Sequence, residues 1–263
     1  MNLTFATLNL REGGVDAGDD SRLHRQLAAL AECRPTVVAL QECKDWDLGN
    51  FRTFHLAERL LCGHGYLGRS SHHGCHLAVF IRQSAGLRVI EQRHEHGDPW
   101  WHGVACVLVE AEGFPRPLQL ASCHLAPSSP ERRLAEAEGF ALVAERGTLI
   151  AGGDWNALPA GDPEPPGPVS GKHRRKLDRR AAEALEELGL LDVGAHARDT
   201  TPTVGHASKL SYRCDRIYTS LPPHAVTGYR VITSADGESD HRPVIAEFDL
   251  TRGASLPGAG SGR

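Results

Sequence analysis

Apolar, strand-like runs dominate this chain, and the helix-like stretches between them are few. That imbalance limits the fold more than any other feature of the sequence. "LTFATLNL" (3–10), "TVVALQE" (36–42), "HLAVFIR" (76–82), "LRVIEQR" (87–93), "GVACVLVEA" (103–111) and "LQLASCHL" (118–125) read as strands. "GTLIAGGD", "YRCDRIYT", "AVTGYRVIT" and "RPVIAEFDL" continue the series. The run at 36–42 is apolar at consecutive positions, as expected of a strand covered on both faces. Helical periodicity is confined to three places. Leu23, Leu27, Leu30 and Ala31 form a stripe that stops before Arg34-Pro35. Ser129 and Pro130 suit the N-cap and first position of a helix buried through Leu134, Ala137, Ala141 and Ala144. Leu177, Ala181, Leu185 and Leu188 mark a third helix, ended by Gly189. Many strands and few helices predict one α/β domain of two sheets packed face to face, with helices outside. The domain is expected to span 1–250, with 251–263 a disordered tail; no internal repeat or linker is evident.

The chain has 263 residues, enough for a full core, and its 40% hydrophobic and 24% charged composition is ordinary. A net charge of −4 gives no global field for nucleic acid. "KHRRKLDRR" (172–180) departs from this with six Lys/Arg against one Asp, which suits either an anion-facing surface or a solvated helix face. Seven cysteines without C-x-x-C spacing, no basic-then-apolar leader and no membrane-spanning window lead us to expect a reduced, cytoplasmic protein.

The chemistry lies in what ends the strands. Asn9 closes the first, Glu42 ends "VVALQE", His124 ends "LASCH", and Asp154 and Asn156 follow "LIAGG". Asp215 sits in "YRCDRIY", and Asp240 and His241 precede the last strand. Singly, each has a plainer role: a turn or cap, a core histidine, or an ion pair of Asp215 with Arg213 or Arg216. Jointly, so many hard oxygen donors and two histidines point to a Mg²⁺-assisted (or Mn²⁺-assisted) reaction at phosphorus. Residues i and i+2 of an extended chain face one way, so Asp154 and Asn156 are expected to act together, with backbone room from Gly152 and Gly153.

"NL" at 9–10, "VVALQE", "SCHL", "GGDWNALP", "YRCDRIYTS" and "SDHRPV" occur in the order and spacing of the endonuclease/exonuclease/phosphatase superfamily, which this chain resembles over residues 3 to 250. The resemblance implies a DNase I-like, four-layer α/β/β/α sandwich of two mostly antiparallel sheets, and divalent-metal-dependent cleavage of phosphate esters. By motif position, Asn9 and Glu42 resemble the metal-side residues, with Asp240 close to the metal. Asp154 and Asn156 resemble the pair that orients and activates water. His241 resembles the histidine facing the phosphoryl group, buttressed by Asp215, and His124 that of the S-x-H-L motif.

The substrate is less defined. "SCHLAPSS" stands where abasic-site enzymes carry a Tyr, and is similar to the DNase I, phosphatase and sphingomyelinase branches; "LQECK" and Trp155 are similar to repair nucleases. The basic segment, with Lys172, Arg174, Arg175 and Lys176 as candidate substrate contacts, favours DNA or RNA. A small phosphorylated molecule or lipid headgroup is the alternative, and a non-catalytic phosphate-binding module a third. "SSHHGCH" (70–76) matches no zinc module by spacing, and "DPWWHGV" (98–104) suits a core-and-rim pair of tryptophans.

Overall fold

Among the described residues of this computed structural model (1–70, 72–166, 169, 171–206 and 210–253, with Lys172 by its backbone alone), twelve strands divide equally between two sheets. In chain order they are β1 (Asn2–Asn9), β2 (Val37–Lys44), β3 (Gly63–Gly68), β4 (Cys75–Arg82), β5 (Leu87–Gln92), β6 (Val104–Ala111), β7 (Leu118–His124), β8 (Thr148–Asp154), β9 (Leu191–Asp192), β10 (Asp215–Thr219), β11 (Val226–Val231) and β12 (Val244–Asp249). One sheet runs β11-β12-β1-β2-β4-β3 and the other β5-β6-β7-β8-β10-β9. Each holds one parallel pair, β1 with β2 and β7 with β8, among antiparallel neighbours. The parallel pairs are joined by helices α1 (Ser21–Glu32) and α3 (Pro130–Ala144), as a crossover requires. α2 (Arg52–Leu61), α4 (Arg180–Glu187) and the short α5 (Val193–His196) and α6 (Leu250–Gly253) complete the helices.

Alternation along the strands separates three apolar layers. Leu3, Phe5, Val37, Ala39 and Val79 meet Val107, Leu120, Ile150 and Ile217 between the sheets. The intervening residues Ala6, Leu8, Val38 and Leu40 turn outward onto Leu23, Leu27 and Leu30 of α1 and Phe54 and Ala57 of α2. Ala121, Cys123 and Ala151 do the same toward Ala137 and Phe140 of α3 and Leu185 of α4. The expected four layers are therefore present, and the run at 36–42 is covered on both faces.

The structure departs from the sequence-based expectation in particular elements. α2, β3 and β9 were not expected; α2 buries only Phe54 and Ala57, too few positions to mark a period. The inward face of α3 is Arg133, Glu136, Ala137, Phe140 and Val143, not the stripe through Leu134 and Ala141. Backbone partners explain that rotation. Arg133 donates to the Ala126 carbonyl (3.1 Å), and Glu136 accepts from the Trp101 and Ala126 N–H groups (2.6 and 2.7 Å). Leu177 ends a 3-10 segment, Gly171–Leu177, before α4 begins. Residues 251–253 of the expected tail are ordered in α6, with Gly253 buried, and 254–263 lie outside the described residues. No helix among the described residues is long and apolar enough to cross a membrane.

Candidate active site

Both parallel pairs end at one edge of the sandwich, and the site is built there. In the second sheet, register places His124 opposite Asp154 on β7–β8 and Asp215 opposite Asp154 on β8–β10, so three site residues occupy one cross-strand row. In the first sheet Asn9 ends β1, and a register shift between Leu40 and Cys43 turns Glu42 out of the ladder. Glu42 has φ 53° and Asn156 φ 50°, left-handed conformations disfavoured for such residues. Strain of about 1–3 kcal/mol at such a position persists only where the surroundings hold it, and Glu42 and Asn156 share one cavity with Arg11, Glu12 and His73, which also have positive φ.

The two sheets meet through side chains. Asn9 Nδ2 donates to Glu42 Oε1 and to Asp154 Oδ2, both at 3.1 Å. Glu42 Oε2 also accepts the Glu12 N–H (3.0 Å). Beneath them Gln41 Nε2 donates to Ser122 Oγ (2.9 Å), whose hydroxyl donates to the Leu40 carbonyl (2.7 Å), a buried polar layer between the sheets. Asp154 is 2% exposed and its oxygens are almost fully engaged. Oδ1 accepts from the Asn156 N–H (3.0 Å) and the Cys214 thiol (2.9 Å), while Oδ2 lies 3.3 Å from His124 Nε2 and 3.9 Å from His241 Nε2. Burial acts to raise its pKa, but His124 and His241 outweigh it and hold the carboxyl well below the usual range.

His241 Nδ1 faces both oxygens of Asp215, at 3.0 and 2.9 Å, a geometry that requires an N–H donor and a carboxylate. Burial works against the imidazolium and also pushes the Asp215 carboxyl up; the Asp215 and Asp154 charges prevail at His241, raising its pKa to about 10. Asp215 is anchored by its own N–H on Thr203 Oγ1 (2.8 Å). Arg213 is committed to Asp162 and Asp192 instead of Asp215. Ser239 Oγ donates to the Asn9 carbonyl (2.9 Å) and accepts the His241 N–H (3.1 Å), which ties the segment before β12 to the end of β1.

Asp154 and Asn156 do come together, though by a route other than an extended strand. β8 ends at Asp154, and a turn closed by the Asn156 N–H on the Asp154 carboxylate brings the amide back. The room left by the two glycines is occupied by protein. A Cβ on Gly152 would lie 2.7 Å from the Phe5 ring, and one on Gly153 2.1 Å from the Cys123 carbonyl oxygen.

All eight candidate catalytic and metal-side residues except Asn9 and Asp215 line a single cavity of about 1110 Å³, and those two sit directly behind it on Asp154 and His241. Asp240 is exposed at its rim. Of the basic segment, Lys176 and His173 line this cavity; Arg174 and Arg175 border a separate hollow with Glu131 and Asp178, and the Lys172 side chain lies outside the described residues. Sequence reasoning gave His102 no role. It stacks on His124 at 4.3 Å between centroids, lines the cavity, and burial pushes its pKa down to about 2, with His124 acting the same way. A histidine just ahead of a strand, as His241 also is, was the available signal. His76 pairs with Asp47 and His72 stacks on Trp101, whereas His73, the third histidine of "SSHHGCH", lines the cavity.

A divalent cation fits the donor set on the Glu42 side. Glu42 accepts from neutral donors alone and Asp240 makes no ion pair among the described residues, leaving two hard carboxylates with free lone pairs on one cavity. Asp154, Asp215 and His241 are also close enough to share an ion, but their hydrogen-bonded imidazolium argues against it.

Two six-stranded mixed sheets with helices outside define the DNase I-like α/β sandwich. The chain belongs to the endonuclease/exonuclease/phosphatase family, which it matches over residues 6–241. Among solved structures it is similar to a D. rerio TDP2 humanized by 14 mutations (20% identity, TM-score 0.68, covering 94% of this chain and 99% of that one). It is also similar to D. rerio TDP2 complexed with a single-strand DNA product (18%, 0.65, 94% and 99%). The endonuclease domain of TRAS1, a telomere-specific non-LTR retrotransposon, is a third (17%, 0.64, 95% and 100%). No curated protein matches the sequence closely enough to count as a relative.

Proposed function

We propose that this protein hydrolyses phosphodiesters of DNA or RNA by in-line attack of water, assisted by Mg²⁺ or Mn²⁺. The observation that carries the reading is the meeting of Asn9, Glu42 and His241, from the first sheet and the loop entering its β12, with His124, Asp154 and Asp215 from the second. Glu42 and Asp240 would hold the cation, which when bound neutralises phosphate charge and lowers the pKa of water. Asn9, expected from the sequence on the metal side, sits behind the cavity and orients Glu42 through its amide N–H. His241 supplies positive charge where the phosphoryl oxygens gain negative charge, with Asp215 keeping it protonated and oriented. Asp154, with low proton affinity and its acceptor positions filled, is suited to orient its neighbours more than to take a proton. Asn156 fixes the other side of the same carboxylate through its N–H. His102, neutral, can accept or donate without adding charge. Family membership and the DNA product on a structural neighbour support a nucleic-acid substrate. A small phosphate ester is the second reading, favoured by the diversion of Arg174 and Arg175 away from the cavity.

Supercoiled DNA, an abasic duplex and a simple bis-ester, each incubated with increasing Mg²⁺ or Mn²⁺, test the reading. Nucleic-acid cleavage that needs the metal and is lost in His241→Ala supports it. Turnover of the bis-ester alone moves the substrate to the second reading, and binding without turnover of any ester overturns the enzyme assignment.

A further inference from the structure

Lys176 is set apart from the rest of its basic segment by how it is held. The Leu158 N–H donates to its carbonyl (3.1 Å), and the preceding carbonyl, of Arg175, accepts from Arg133 Nη2. Arg133 is fully buried, with no carboxylate partner among the described residues, so it anchors the 3-10 segment from within the scaffold. The Lys176 backbone is thus pinned at two successive peptides, and its side chain enters the catalytic cavity.

There Nζ donates to Asn156 Oδ1, while Asn156 Nδ2 donates to the Leu125 carbonyl (3.0 Å). An ammonium can only donate and a carbonyl only accept, so the orientation of this amide is determined by its partners. Lys176 makes no ion pair with a carboxylate among the described residues, and its charge helps hold Asp154 ionised. One ammonium hydrogen is used on Asn156, which leaves two donors for a ligand. The result is a tethered cation with no ion-pair partner among the described residues, held beside Asn156 in a cavity that Glu42 and Asp240 also line.

We infer that Lys176 is a phosphate-binding residue of this site, donating to a non-bridging oxygen of the substrate phosphate while Asn156 fixes its position. A lysine ammonium suits phosphate as a point charge, and anchoring its backbone and tip reduces the side-chain entropy lost on binding. The inference rests on the proposed phosphate-ester function but is separable from it, because a phosphate oxyanion should bind without turnover and without metal.

Titration with inorganic phosphate in the presence of a chelator, followed by calorimetry, provides the test. Lys176→Met should weaken binding about tenfold or more, as expected for loss of one charge-assisted hydrogen bond. Lys176→Arg should recover much of that loss. Arg180→Met, on the same segment but paired with Asp178 and Glu131, should bind as the unmodified protein does. Circular dichroism melting of each variant separates a lost contact from a lost fold. The inference is overturned if Lys176→Met, still folded, binds phosphate normally, if Arg180→Met weakens it equally, or if the unmodified protein binds none. Lysine-dependent phosphate binding with no turnover of any ester would preserve this inference while removing the enzyme assignment; metal-dependent turnover with unchanged phosphate binding in Lys176→Met would do the reverse.

Discussion

Removing the His241 imidazole would leave Asp215 a buried carboxylate without its donor, and the cavity without its most firmly protonated histidine. His241→Ala is expected to lose about 10²–10⁴ in turnover, roughly 3–5 kcal/mol of barrier, measured on metal-saturated protein of native circular dichroism. Its pH behaviour follows from the raised pKa. In the unfolded chain the group titrates near 6.5, in the fold near 10. Its stabilising contribution is therefore complete below the lower value and lost as pH rises through the upper one. Urea midpoints should fall across that alkaline window, and by less in Asp215→Asn, which lacks the partner charge. An equal fall in both would show that the dyad is not the source.

At the scale of single elements, local sequence rules worked where the determinant was local. Ser129 Oγ accepts from the Arg132 N–H at 3.2 Å and Pro130 opens α3, as the sequence predicts. Ser129→Ala should lower stability by about 1 kcal/mol in chemical denaturation. The buried stripe of α3 is not legible, because Arg133 and Glu136 face inward for backbone partners, Ala126 just before the helix and Trp101 and Arg175 far from it in the chain, which apolar periodicity does not record. The glycines of β8 illustrate the same division: "AGGD" announces missing side chains, but only packing reveals what fills the space. Gly153→Ala, which would drive a methyl against the Cys123 carbonyl, should destabilise by about 3 kcal/mol without touching the cavity side chains. A melting temperature equal to the parent's would contradict that packing.

At the scale of the molecule, the two sheets share one plan. β11 and β12 stand to β1, β2, β4 and β3 as β5 and β6 stand to β7, β8, β10 and β9. No repeat is visible in the sequence because the topology constrains only apolar alternation and strand ends, which many side chains satisfy. The duplication brings the carboxyl ends of two parallel pairs to one edge, where β2 and the loop before β12 supply Glu42, Asp240 and His241, and β7, β8 and β10 supply His124, Asp154 and Asp215. A cation held between Glu42 and Asp240 would bind the folded chain alone. Mg²⁺ or Mn²⁺ at 100 times its dissociation constant should add about 2.7 kcal/mol to unfolding free energy. Glu42→Gln should abolish most of that gain; retention of the full shift would place the cation elsewhere.

The sequence alone determined the layer architecture, since the period of apolar residues and the excess of strands over helices are local properties that survive without knowledge of partners. It also supplied the acids, amides and imidazoles at strand ends, and a family resemblance built from those same stretches. Tertiary structure decided how they meet: the register that aligns His124, Asp154 and Asp215, the irregularity that turns Glu42 outward, the contact of Asn9 with the opposite sheet, and the selection of Lys176 from a run of similar charges. Each of these depends on pairing between residues far apart in the chain. A one-residue change of register would send the same side chains to the opposite face, and nothing in the local pattern prevents it.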